Sequence, residues 1–221
     1  PYGTTNCKWD RKLPLDTLWA EWKRLLVPGG CVICTSQQPF TTELINSNPK
    51  WFRHELIWEK ACALGFLNAK KMPLRAHENV LVFCPRATVY NPQMEQGEPY
   101  RYRRGRLSNL YGKYKDGAAR YEGISEGVRW PRSVLKFPTA HSKGGHPTAK
   151  PVALFEWLVR TYSNEGDTVL DCCIGSGTTA KACVNAGRRW IGIEANEAYC
   201  EIVAAAVDKA VDKFALFAMG G

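Results

Sequence analysis

The chain has 221 residues, 45% of them apolar, which is enough to bury one sizeable core with an appended lobe. It contains no run of about 18 apolar residues and does not open on a basic segment leading into an apolar one, so neither a membrane span nor a signal peptide is predicted. A formal charge of +9 points to a polyanionic partner, and nine cysteines, an odd number scattered through the predicted strands and helices, point to reduced thiols rather than a disulfide framework.

Leu15, Leu18, Trp19, Trp22, Leu25 and Leu26 recur at helical spacing, and Pro28-Gly29-Gly30 ends that helix before a strand over 31–35, CVICT. Cys31 and Cys34 match C-x-x-C there, but positions i and i+3 of a strand face opposite sides, so the pair reads as core rather than as metal ligands. A short helix around Thr42 to Ile45, a strand near His54 to Trp58 and another at Asn79 to Phe83 follow. This rhythm predicts a parallel sheet, and the apolar runs of four to six residues predict strands covered on both faces.

From about Pro85 to Gly145 no lasting period is visible, and Tyr, Arg, Gly and Pro dominate. Between Arg86 and Lys143 twelve bases face five acids, so most of the excess charge falls in this segment. The blocks YRYRRGR and YGKYKDGAARY interleave rings with cations, as a surface for phosphates and bases would. Arg101, Arg103, Arg104, Arg106, Lys113 and Lys115 are the candidate DNA-binding residues. Regular pattern returns with an apolar helix from Val152 to Tyr162 and ends with an amphipathic helix from about Glu197.

Between those helices, residues 167–194 read as a strand, a glycine turn, a helix and a second strand ending on an acid. Val169 and Leu170 form the first strand, Gly175 and Gly177 allow close backbone approach, Thr178 to Ala186 form the helix, and Ile191 to Ile193 lead to Glu194. Gly175-Ser176-Gly177-Thr178-Thr179-Ala180 satisfies G-x-G-x-x-G/A, and Glu194 lies 19 residues after Gly175, so the pattern alone admits NAD. Asp171, at the end of the first strand, would repel a pyrophosphate. S-adenosylmethionine reverses that sign, because its ammonium and sulfonium are attracted to an acid while Glu194 accepts from ribose hydroxyls. A P-loop is excluded, since Thr178 stands where that motif needs Lys.

Two further segments carry a family resemblance. The chain opens Pro1-Tyr2-Gly3-Thr4-Thr5, and His146-Pro147-Thr148-Ala149-Lys150-Pro151 precedes the apolar helix. In this order, with the glycine turn last, they resemble the DNA amino-methyltransferases of the β class: D-P-P-Y (motif IV), a target-recognition region, H-P-T-x-K-P, then the glycine loop. PFTTELINSN, NAKKMPLRAHENVLVFC and TVYNPQ extend the likeness over nearly the whole chain, toward the methylases of phages and restriction-modification systems.

The resemblance implies an α/β fold, a Rossmann-like sheet with helices on both faces and circularly permuted motif order. It makes 1–84 the catalytic half, 85–145 an irregular target-recognition insertion and 146–221 the cofactor half. It implies methyl transfer from S-adenosylmethionine to the exocyclic amine of a flipped base in double-stranded DNA, adenine N6 before cytosine N4, in a bacterial or phage-infected cytoplasm. It leaves room for a homodimer. Tyr2 would stack on the base and Pro1 shape its loop; His146, Thr148 and Lys150 would lie at the methionine end, with Lys150 meeting the carboxylate; Asp171, Gly175, Ser176, Gly177 and Thr178 would form the turn, and Glu194 would hold the ribose.

The sequence departs from the family where motif IV starts at its second Pro, and the expectation is that Asp-Pro directly precedes Pro1 in the complete protein. Cys172-Cys173 also replaces residues usual after the acid, a change that small thiols tolerate in a buried turn. His54, His77 and His141 read as structural or surface residues, and Glu78 receives no role. Cytosine N4 transfer, a DNA-binding remnant without turnover and an NAD-dependent dehydrogenase remain the alternatives.

Overall fold

A computed structural model describes residues 2–3, 10–104, 121–139, 149–205 and 207. Residues 92–132 form one compact unit, and 1–91 with 133–221 form a larger one. Among the described residues no helix is long and apolar enough to cross a membrane.

The larger unit opens with helix α1 (Leu15–Leu25), whose Trp19 is buried, followed by strand β1 (Val32–Ser36) and helix α2 (Phe40–Ser47). Strands β2 (Phe52–Leu64) and β3 (Arg75–Phe83) come next, longer than the apolar runs alone predict. The main sheet has the order β1-β3-β2-β8, where β8 spans Val134–Phe137. The expected parallel sheet is corrected here: β3 runs antiparallel to both β1 and β2, and β8 alone pairs parallel, with β2. The reason lies in the connection. The residues between Leu64 and Arg75 are too few for a crossover helix, which needs about a dozen residues or more, so the chain turns back as a hairpin.

β3 is the spine of the core. Val80 and Val82 pack on one face with Leu56, Trp58, Leu135 and helix α3 (Val152–Tyr162); Leu81 and Phe83 pack on the other with Trp19, Phe40 and Leu44. The period-two alternation of a strand divides one apolar run between two helical layers. Cys31 joins the α3 face and Cys34 the α1–α2 face, as strand geometry demands of an i, i+3 pair.

The C-terminal part of the larger unit holds a β-α-β unit: β9 (Thr168–Asp171), α4 (Thr178–Ala186) and β10 (Arg189–Gly192), with the strands parallel. Val169 and Trp190 turn toward a cluster of Val159, Ala182, Cys183 and Ala186 between α3 and α4. Leu170 and Ile191 are exposed. A further helix, α5, spans 197–205 and buries Val203 against Ile174 and Ala180.

The smaller unit is built from two antiparallel ribbons, β4 (Glu95–Gln96) with β7 (Val128–Arg129) and β5 (Tyr100–Arg104) with β6 (Tyr121–Ser125). These strands lie in the stretch expected to be irregular. Their shortness and the lack of an apolar face hide the period of two.

Candidate active site

The glycine turn is held by its own two carboxylates. Asp171 closes β9 and accepts from the Cys173 amide at 2.9 Å and from the Thr179 hydroxyl. The pairing of Gly192 with Asp171 places Glu194 just beyond the neighbouring strand end, where one oxygen accepts from the Gly175 amide at 2.9 Å and the other from the Asn196 amide at 3.0 Å. A carboxylate has about four lone-pair sites, so each acid keeps acceptor capacity for a ligand. Gly175 and Gly177 take φ of +53° and +80°, and a Cβ on Gly177 would meet Val203 at 3.2 Å. Ser176 is partly buried in this turn, and Thr178 starts α4.

Lys150 ties this turn to the opposite half of the larger unit. Its carbonyl accepts from the Thr178 hydroxyl at 3.2 Å, while its ammonium reaches Glu78 Oε2 at 2.5 Å. Lys60 holds the other Glu78 oxygen at 2.6 Å. Glu78 therefore sits buried between two ammoniums, and both lie over aromatic rings: Lys60 over Trp58, and Lys150 over Trp58 and Tyr2, the last at 5.3 Å. Burial pushes the Glu78 carboxyl up, but Lys150 and then Lys60 outweigh it and hold the group below its ordinary value. Burial also presses the Lys150 ammonium below its usual value, with Glu78 opposing the shift.

Tyr2 completes the cluster. Its hydroxyl donates to Thr35 Oγ1 at 2.6 Å, with Glu78 Oε2 at 3.5 Å, and its ring stacks on Phe40. The amides of Tyr2 and Gly3 both donate to Asp10 Oδ1, at 2.6 and 2.9 Å. Burial, and after it the Glu78 charge, drives the phenol far above its ordinary pKa, so it remains a neutral donor.

Pro1, His146, Thr148, Arg106, Lys113 and Lys115 lie outside the described residues. His54 shares a 2.8 Å hydrogen bond with Tyr162, and His77 is exposed. Among the described residues no group of His, Cys, Asp and Glu could hold a metal ion. In the smaller unit the alternation of β5 sorts YRYR by face: Arg101 and Arg103 are exposed on one, while Tyr100 and Tyr102 adjoin each other on the other at 6.1 Å. Arg103 pairs with Glu122 at 2.6 Å and Arg129 lies over Tyr100 at 5.7 Å. Arg104 ends the same strand.

Sequence reasoning missed Glu78 and Lys60. A signal was present: two consecutive polar residues, Glu78 and Asn79, enter a strand whose next four residues are apolar, which invites the question of what neutralises the acid inside.

Known proteins place the chain in a family. Residues 4–205 match the N6/N4 methylase family model, described as DNA methylase. The chain belongs to that DNA methylase family. It is 48% identical over 217 residues to the type II methyltransferase M1.MboII of Moraxella bovis, covering 90% of this chain and 83% of that protein. It is 39% identical over 225 residues to the type II methyltransferase M.HpaI of Haemophilus parainfluenzae, covering 96% of this chain but only 65% of the relative's length. The crystal structure described as the M1.HpyAVI-SAM complex superposes with a TM-score of 0.61 at 24% identity, over 90% of this chain and 85% of that one. The fold is accordingly the α/β Rossmann-like methyltransferase fold, with the antiparallel β3 as part of it.

Proposed function

We propose that this methylase transfers a methyl group from S-adenosylmethionine to the exocyclic amine of a base flipped out of double-stranded DNA, with adenine N6 as the acceptor. The observation that carries the reading is the double attachment of Lys150, backbone to Thr178 at the glycine turn and ammonium to Glu78 beside Tyr2. One residue thereby fixes the cofactor half against the ring assigned to the base.

The residues fit the cofactor. Two carboxylates, Asp171 and Glu194, converge on a turn whose glycines leave its backbone open, which suits a cationic ligand with free ribose hydroxyls. When bound, S-adenosylmethionine would supply the methyl group, leaving as a neutral thioether while the methylated amine gives up one of its protons. Glu194 would accept from the ribose hydroxyls, and Asp171 would hold the turn and favour the cationic end. Lys150 is already engaged by Glu78, so we assign it to fixing the pocket wall as well as to the methionine carboxylate named by the family motif. Tyr2, neutral and anchored at Thr35, is the ring assigned to stack on the base, with the Lys150 ammonium over it at 5.3 Å.

The exposed cations of the smaller unit, Arg101 and Arg103 above all, are assigned to DNA phosphates, with Arg104, Arg106, Lys113 and Lys115 beside them in sequence. Changing Arg101 and Arg103 together to Ala should lessen the dependence of DNA affinity on salt by roughly 0.9 in log-log slope for each phosphate no longer neutralised. The central test incubates the protein with radiolabelled S-adenosylmethionine and plasmid DNA, then digests the DNA for mass spectrometry. N6-methyladenine is expected. N4-methylcytosine as the sole product refutes the base assignment, and DNA binding without methylation favours a remnant. Calorimetric binding of NAD in place of S-adenosylmethionine refutes the cofactor.

A further inference from the structure

The β2–β3 hairpin carries a tip that the site described above does not use. Leu64 pairs with Arg75, and the ten residues between them fold into a compact turn. Gly65 takes φ +94°, Phe66–Asn68 form one 3-10 turn, and the amides of Asn68, Ala69, Lys71 and Met72 all donate to carbonyls within the tip at 2.8–3.0 Å. Four of the tip's amides are therefore satisfied locally, while its apolar side chains stand in solvent. Phe66 is 82% exposed, Leu67 96% and Met72 57%. Scattered apolar residues on a surface need no explanation, but three on one ordered protrusion do.

Charge says what the protrusion meets. No acid occurs between Glu59 and Glu78, whereas Lys70 and Lys71 stand exposed next to Leu67 and Met72 and Arg75 follows. The strands beneath the tip also fix its position. Glu78 and Lys60, at the Tyr2 cluster, lie on β3 and β2, and Arg75 is three residues from Glu78, about 10 Å along a strand. That span is similar to the width of a DNA major groove, about 12 Å.

We propose that Phe66 and Leu67 form an apolar wedge that enters duplex DNA beside the target base, with Lys70 and Lys71 on the flanking phosphates. The proposal rests on the reading that this protein acts on a base removed from the duplex. Extrusion breaks stacking on both sides of the target, and side chains that occupy the opened step offset that cost. The tip's hydrogen-bonded backbone would hold the wedge in place before DNA arrives.

The test compares the full chain with Phe66→Ala/Leu67→Ala and, separately, Lys70→Ala/Lys71→Ala. Duplexes of mixed sequence containing 2-aminopurine report unstacking by fluorescence. The unaltered protein should raise the signal and the apolar double variant should not, while S-adenosylmethionine affinity stays the same. Methylation of native plasmid DNA should slow by roughly tenfold or more in that variant, comparable to losing one stacked ring. On heat-denatured DNA, where no step need be opened, it should match the unaltered protein. The lysine variant should lower the salt slope by about 1.8, two phosphates at 0.9 each. Equal fluorescence and equal duplex rates in the apolar variant overturn the wedge, as does equal slowing on native and denatured DNA. A change only in oligomeric mass assigns the tip to a second copy of the chain and also overturns it. If the unaltered protein binds neither S-adenosylmethionine nor DNA, the functional reading fails instead.

Discussion

The two halves of the candidate site are made in opposite ways. The glycine turn is local: Asp171, Gly175, Gly177, Thr179 and Glu194 fall within one β-α-β unit and hold one another through short-range hydrogen bonds. The Tyr2 cluster is gathered from Tyr2 and Lys150 with Thr35, Lys60 and Glu78 of the sheet, residues far apart in sequence and brought together only by the tertiary fold. The turn is organised around backbone amides, whereas the cluster is organised around a buried charge. Damage to the turn should therefore act on ligand binding, and damage to the cluster on the fold.

The largest effect is expected from Glu78→Gln, which leaves the buried Lys60 ammonium and the partly buried Lys150 ammonium without their counter-charge and should cost about 3–5 kcal/mol in urea unfolding. Lys60→Met should cost less, because Lys150 still neutralises the carboxylate. The pH dependence has a definite sign. The folded pKa of Glu78 lies below the ordinary glutamate value, so its contribution is complete above about pH 4.3 and is lost as pH falls through the lower folded value. Melting temperatures of the unaltered protein and Glu78→Gln should converge in that acid range. Convergence near neutral pH instead would remove the charge from the explanation.

Smaller effects, of another kind, belong to the turn. Asp171→Ala and Glu194→Ala should each weaken S-adenosylmethionine by about 1.5–3 kcal/mol, the range for hydrogen bonds to charged groups. Calorimetry returning unaltered affinity in both would break the assignment. Gly177→Ala meets a positive φ and the Val203 side chain, so a loss of about 1–2 kcal/mol of stability is expected, read by thermal melting. A shift as large as that of Glu78→Gln would show that the turn, too, is a structural keystone.

The same contrast explains what could be read from the sequence. The β9-α4-β10 unit was legible because its strands, glycines and terminal acid follow one another at fixed spacing, and α1 because six apolar residues keep a helical period. Family resemblance supplied the order of the motifs. The antiparallel course of β3 was not legible, because an apolar run such as Val80–Phe83 specifies burial but not direction. Glu78 was passed over for a related reason: its partners lie 18 and 72 residues away, and no spacing rule links an acid to lysines across a sheet. The ribbons of 92–132 were hidden by brevity, since two of their strands have only two residues each.

The free thiols turn this molecule into its own depth gauge. Cys62 stands exposed near the hairpin tip, Cys173 in the glycine turn and Cys200 on α5, while Cys84 and Cys183 are buried at the end of the sheet and inside α4. An alkylating pulse therefore marks Cys62 and Cys200 in the native state, and Cys84 and Cys183 only through opening of the structure around them. In the glycine turn the hydrogen bond from Cys173 lowers the pKa of the Cys172 thiol to about 7, so the labelling rate of Cys172 reports on the turn, and Cys62 reports on the tip end of the hairpin. Natural cysteines thus provide separate clocks for the surface and the interior of the fold, without a single engineered probe.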